Sequence, residues 1–230
     1  MRYRLKYLLL PLLFLLIPFA CKRDGTEAGM IKAEYIKYRV NYLDHMAGDI
    51  PTTLLPDIME AYYTKRHIRT RIHGYFGQFS LVQVADLRKN TVTTMLNFFG
   101  TKVVHYGEKG EVPAGIVALE NPSLEITPDT LTICGMLSNR GIVRTDEDVY
   151  DIYFIEDIDI KSPNITTPYY FIDYVLADFR VQLSILKMHL VMYEHTDKEI
   201  NPRLFEVPED YVAVSRESME GIINSLFTKE

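Results

Sequence analysis

The chain is expected to fold as a mainly β domain of the α+β class, an antiparallel meander ended by a C-terminal helix. Three observations predict this. Apolar and polar residues alternate with period two from Ala33 onward, the pattern of strands with one wet face. Sixteen tyrosines and eleven phenylalanines, with no tryptophan, suit a pleated sheet with a large aromatic face. Short breaks containing Gly, Pro, Asn or charged residues separate the runs, as hairpins require.

The first twenty residues stand apart from that pattern. Arg2, Arg4 and Lys6 make a basic start, and Tyr7 to Ala20 carries no charge. As a helix that stretch spans about 21 Å, short of the roughly 30 Å hydrocarbon core, and Pro11 and Pro18 interrupt it. Residues 1–20 therefore read as a cleaved secretory signal. Cys21 follows Ala20 and precedes the polar Lys22-Arg23-Asp24. This resembles the lipobox of bacterial lipoproteins, of the looser Bacteroidetes-like form, since Pro18 and Phe19 stand at the preceding positions. The resemblance implies a diacylglycerol on Cys21 and attachment to a membrane. An ordinary cleaved signal with a chance cysteine, or an uncleaved N-terminal anchor, are the alternatives. Residues 21–30 read as the lipidated cysteine and a flexible tether, reaching no more than roughly 30 Å, and residues 31–230 as one domain.

Strands follow in order. Ile36, Tyr38, Val40 and Tyr42 share one face, and Lys37, Arg39 and Asn41 the other. Next, Ile68, Thr70 and Ile72 oppose His67, Arg69, Arg71 and His73. FSLVQVAD, NTVTTMLNFF and TKVVHYG continue the meander, separated by Leu87-Arg88-Lys89 and by Gly100. Gly107 to Asp129 reads as loop. Strands resume at LTICGML, GIVRT and VYDIYFIEDI, with a turn expected at Ser138-Asn139-Arg140-Gly141. A short helix is suggested around Phe171, Val175 and Leu176, then one long strand over VQLSILKMHLVMYEH, and an extended piece at Leu204 to Val207. In the C-terminal helix Ser215 is the cap, and Met219, Ile222, Ile223 and Leu226 form the apolar stripe.

Chemistry is harder to find. No G-x-S-x-G elbow, P-loop, H-E-x-x-H or C-x-x-C is present, so a non-enzymatic role without cofactor is expected. His67 and His73 lie on one strand face roughly 20 Å apart, as do His189 and His195, so no metal site is expected. Cys134, in the apolar LTICGML, reads as a buried structural thiol, with no disulfide partner if Cys21 is acylated. The acidic run Asp146, Glu147, Asp148 and Asp151, continued by Glu156, Asp157 and Asp159, reads as a solvated strand edge. Lys65, Arg66, Arg69 and Arg71 make a basic stripe, read as a solvated outer face over a contact with lipid phosphates or an acidic partner. The net charge of −6, more negative still without the leader, argues against nucleic acid. Asn164-Ile165-Thr166 fits an N-glycosylation sequon, and Asp129-Thr130-Leu131 resembles the O-glycosylation signal of Bacteroidetes exported proteins.

Several of these segments, taken in order, carry a further resemblance. They are RHIRTRI, the Ala85-Asp86 strand end, TICGMLSNRGIV, TPYYFIDYVLADF, LKMHLV and the closing F-x-V-P-x-x-Y at Phe205 to Tyr211. Over most of Ile31 to Tyr211 the chain resembles a family of uncharacterised Bacteroidetes-type lipoproteins, a domain-of-unknown-function group, whose fold is similar to the LolA and LolB lipoprotein carriers. Asp210 and Tyr174 stand where that family usually has glycine. The resemblance implies a curved antiparallel half-barrel, with the C-terminal helix and one or two short helices over its concave face. It also implies an apolar cavity suited to an acyl chain. Ile36, Tyr38, Val40, Ile68, Ile72, Val92 and Leu96 are the expected lining, unless the helices fill that face as ordinary core. The expected function is binding or carrying a hydrophobic ligand, lipid or acylated protein, from a lipid anchor in the cell envelope, in the outer membrane. The alternative is a non-enzymatic subunit of an envelope complex, with a filled core and a protein partner.

Overall fold

The first strand occupies the middle of the sheet. A computed structural model describes residues 29–47, 50–74 and 78–227, so Cys21 and most of the tether lie outside the described residues. In chain order the first strands are β1 (Ile31–Tyr42), β2 (Met46–Ala47), β3 (Ile50–Pro51), β4 (Ile58–Tyr63) and β5 (His67–His73). Next come β6 (Phe79–Asp86), β7 (Thr91–Phe98), β8 (Thr101–Tyr106), β9 (Ser123–Ile133) and β10 (Met136–Arg144). The remainder are β11 (Val149–Ile155), β12 (Val175–Leu183), β13 (Leu186–Ile200), β14 (Val212–Ala213) and the helix α1 (Arg216–Ser225). The main sheet is ordered β14-β8-β7-β6-β5-β4-β1-β13-β12-β11-β10-β9. Two antiparallel meanders, β4 to β8 and β9 to β13, are thus joined edge to edge through β1. The result is one open, curved, mainly β sheet.

Alternation decides the register and the inner face. Ile36 lies opposite Ala61, and Tyr38 opposite Met59; Ile68 pairs with Ala85 and Ile72 with Leu81. All these side chains are buried on the concave side. A one-residue slip would turn the whole set to solvent. Curvature is aided where a strand carries an extra residue. On β13 the register jumps between Lys37↔Glu194 and Tyr38↔Met192, and on β12 between Tyr153↔Asp178 and Phe154↔Leu176.

Helix α1 closes part of the concave side. Ser215 Oγ accepts from the Ser218 N–H at 3.2 Å, and Met219, Ile223 and Phe227 are buried in the main core. The helix seats against Gly115, where a Cβ would lie 2.6 Å from Ile223 Cδ1, and whose φ of +84° also favours glycine. Two irregular segments cover much of the rest. One spans 107–122 and buries Ala114 and Ile116; the other spans 156–174 and buries Tyr169 and Ile172. The expected short helices over this face are therefore loops.

Other expectations are corrected locally. The segment read as loop to Asp129 becomes strand at Ser123. Ser138 to Gly141 lies within β10, because Gly141 is held against Leu124, whose Cδ1 would sit 2.6 Å from a Cβ. The turn is instead Cys134-Gly135, with φ of +51° and +79°, the signs of a two-residue hairpin loop. Cys134 is consequently exposed, not buried. Val175 and Leu176 open β12 rather than a helix, and the single long strand is a hairpin turning at Ser184-Ile185. Pro202–Phe205 forms a 3-10 turn rather than an extended piece, capped by Asn201 accepting from the Arg203 N–H.

Candidate ligand pocket

At one end of the sheet β1, β5, β7 and β12 finish while β6 and β13 begin, and their ends diverge around an apolar pocket of about 270 Å³. Tyr42 and Ile72 come from strand ends, Leu54 to Pro56 from the turn before β4, and Phe98-Phe99 from the β7–β8 turn. Leu183, Leu186 and Met188 line it from the β12–β13 hairpin, and Leu226 and Phe227 from the end of α1. Tyr42 stiffens the rim by donating its hydroxyl to the Pro56 carbonyl at 2.6 Å, and burial pushes its phenol well above the ordinary range. Two apolar side chains of the lining stand out into solvent, Leu54 and Phe99 being 66% and 71% exposed. Exposed large apolar residues gathered at one opening are a recognition feature, whereas scattered ones are not.

The seven residues expected to line a cavity all lie in one buried cluster. Only Ile72 reaches the 270 Å³ pocket. Ile36, Tyr38, Val40, Ile68, Val92 and Leu96 are packed core. Tyr38 is also tied down, donating to the Leu176 carbonyl at 3.0 Å, and burial raises its phenol far above the usual value. The pocket was missed because turn residues, not strand residues, build it. The adjacent Phe98-Phe99 beside Gly100, and the Leu54-Leu55 pair flanked by prolines, were its signals in the sequence.

Beyond the mouth the interior changes character. Thr70, Gln83 and Thr94 lie side by side on β5, β6 and β7. Thr70 Oγ1 donates to Gln83 Oε1 at 3.3 Å, while Gln83 Nε2 and Thr94 Oγ1 have no hydrogen-bond partner among the described residues. A void of about 30 Å³ touches Thr70 and Gln83 and shares Ile72, Leu183 and Met188 with the outer pocket. It is large enough for a water or two. A small void edged by hydrogen-bonding groups thus adjoins the apolar pocket.

Titratable groups elsewhere are mostly paired. His189 lies 2.5 Å from Asp178 Oδ1 and His195 2.7 Å from Glu34 Oε2, and no metal-holding cluster occurs among the described residues. The acidic run is not at a sheet edge, since β11 lies between β10 and β12. Asp151 instead takes Arg140 at 3.0 Å, and Asp148 takes Arg180 at 3.3 Å. Asn164 is buried, donating to the carbonyls of Ile172 and Tyr174, so the folded chain does not present this sequon. Asp129-Thr130-Leu131 is exposed on β9. The basic stripe is split: Lys65 and Arg66 are exposed, but Arg69 is buried. No described helix is long and apolar enough to cross a membrane.

No family model and no curated protein matches the chain. Among solved structures, two crystal forms of PNGF-II superpose with a TM-score of 0.51 over 84% of this chain at 11% identity. The chain spans 33% of the PNGF-II chain. At that identity the likeness establishes a similar fold and nothing of its chemistry.

Proposed function

We propose that the chain is a lipoprotein anchored through Cys21 in the cell envelope, in the outer membrane, and that its domain is a half-barrel of the LolA and LolB type. In this reading the domain is not an enzyme. It binds or carries a hydrophobic ligand, a lipid or the acyl group of a protein. The observation that carries the reading is the apolar pocket of about 270 Å³ with exposed Leu54 and Phe99 in its lining. Such a mouth lowers its free energy by covering apolar surface, about 25 cal/mol for each Å² removed from water. Its size, near the lower end of small-molecule pockets of roughly 300 Å³ and more, suits one acyl segment rather than a whole diacyl lipid. Because β1 enters at the opposite end of the sheet, the mouth faces away from the point where the tether joins.

A second reading is favoured by the packed core, which absorbs six of the seven expected lining residues. It makes the domain an interaction subunit of an envelope complex, with the apolar rim as contact surface. Native mass spectrometry of the fragment Met30 to Glu230, which contains every described strand, separates the two. Purified from a bacterial envelope without detergent, it is expected to carry an adduct that organic solvent extracts and that is identified as lipid. Replacing Phe99 with Asp at the mouth should remove most of it. A bare protein mass with no uptake of fluorescent fatty acid rejects the carrier reading in favour of the subunit.

A further inference from the structure

Two arginines on the convex face form no ion pair with any described residue. Arg69 and Arg71 are two residues apart on β5, so their side chains leave the same face of the sheet about 7 Å apart. Arg69 is only 9% exposed, and the Nε atoms of both are buried with no hydrogen-bond partner. Neither guanidinium has an ion pair or hydrogen bond with a described residue. Glu60, opposite Arg71 on β4, puts one carboxylate on this face, and its charge favours the Arg69 cation from beyond hydrogen-bond reach. It accepts from Tyr35 Oη at 2.7 Å and lies 3.6 Å from His73 Nε2.

The rest of the molecule builds walls around the pair. Tyr62 lies directly opposite Arg69 on β4. The strap that leaves β13 packs Phe205, Val207 and Tyr211 into the outer apolar cluster, with Phe205 stacked on His67 at 5.1 Å. Tyr211 ends that strap close enough for the charges of Arg69 and Arg71 to act on its hydroxyl. The F-x-V-P-x-x-Y segment thus borders the arginines. Desolvation, followed by repulsion from Arg71, lowers the proton affinity of Arg69, and the opposing influence of Tyr62, Glu60 and Tyr211 offsets this only in part. An unpaired buried cation is unfavourable in the empty protein, and a bound anion removes the penalty.

We propose that Arg69 and Arg71, walled by Tyr62 and Tyr211, form an oxyanion site on the convex face, and that its ligand is a phosphate-type group. Two guanidinium forks offset along a strand approach an anion from two sides. A carboxylate is saturated by one fork, whereas a phosphate offers oxygens to both. The same group is found in free phosphate compounds and in lipid headgroups. The site lies on the face opposite the apolar pocket and stands or falls separately from it.

The test is thermal unfolding of the full-length chain in a neutral maltoside detergent and phosphate-free buffer. Inorganic phosphate and dihexanoyl phosphatidic acid are titrated separately, against chloride at equal ionic strength. Wild type is expected to gain several degrees in Tm, rising with ligand concentration. Arg71→Gln and Arg69→Met should each lose that gain. Arg69→Met should also melt higher than wild type without ligand, because it keeps the apolar stem and removes the unpaired charge. A gain from inorganic phosphate assigns the site to free phosphate groups, and a gain from the lipid alone assigns it to headgroups. No graded shift from either ligand, or a shift that persists in Arg71→Gln, overturns the proposal; if Arg69→Met fails to fold, Arg71→Gln decides alone.

Discussion

Glu111 shows how one carboxylate fixes the lid over the concave face. Arg216 Nη1 on α1 donates to Glu111 Oε1 at 2.6 Å and to the Val112 carbonyl at 2.7 Å. The Glu108 N–H donates to Glu111 Oε2, also at 2.6 Å. Burial alone would raise the Glu111 carboxyl, but the hydrogen bonds from Arg216 and the Glu108 backbone outweigh it and hold the group below its ordinary 4.5. The unfolded chain therefore takes up this proton at a higher pH than the folded one. The stabilisation is complete above about 4.5 and is lost as pH falls through the lower folded value. Glu111→Gln is expected to cost about 1–2 kcal/mol at neutral pH, in the range of charged hydrogen bonds. It should also flatten the fall of the urea midpoint below pH 4.5. A variant whose acid sensitivity matches wild type would show that the clamp contributes nothing to acid stability.

Among the elements, β9 carries the most exposed risk. It pairs with β10 alone and ends the sheet, with Ile126 and Leu131 in solvent. An open edge of eleven residues invites pairing with another chain. Pro128 removes one donor from it, and Glu125 and Asp129 are held by Arg144 and Arg140 at 3.1 and 2.8 Å. Pro128→Val should therefore shift the light-scattering mass toward larger species at high concentration. An unchanged mass would mean the edge is guarded by other means. This strand also shows how far the sequence reaches. Only its last three residues, Leu131 to Ile133, were legible in LTICGML, while β5 to β8 were legible throughout because period-two burial is local. Its hairpin was not. Ser138 to Gly141 has the composition of a turn, yet Gly141 is glycine for packing against Leu124, and the real turn at Cys134-Gly135 sits inside an apolar run. Helix α1 was legible from its cap and stripe. The pocket was not, since its walls are turn residues brought together by a topology that local periodicity does not encode.

For the molecule as a whole, the aromatic interior makes an alkaline prediction. Tyr38, Tyr63, Tyr150 and Tyr169 are all buried, and hydroxyl contacts link Tyr38 to Tyr63 at 3.4 Å and Tyr150 to Tyr169 at 2.9 Å. Burial pushes Tyr63 up to about 12 and Tyr169 higher still. The unfolded chain loses these protons near pH 10 while the folded chain keeps them, so stability declines as pH rises above 10. Absorbance at long ultraviolet wavelengths should show the exposed tyrosines ionising first. The buried ones should follow in a later step that coincides with loss of the far-ultraviolet dichroism of the sheet. Ionisation of every tyrosine in one step, with the sheet intact, would contradict this packing.

The central place of β1 sets a timing problem for synthesis. This strand is made first, and β4 is available soon after it, but its other neighbour pairs Ile31 with Ile200 and Tyr42 with Met188. At roughly 5–20 residues per second, the nascent chain carries a half-satisfied strand on the order of ten to thirty seconds before β13 exists. Throughout that interval Tyr38 and Val40 lack the cover they have in the finished domain. The newborn polypeptide thus depends on whatever shields it until β13 can pair, through synthesis and through the export proposed above. Mutations that weaken the last third of the chain should be felt first as poor yield rather than as a lower melting temperature.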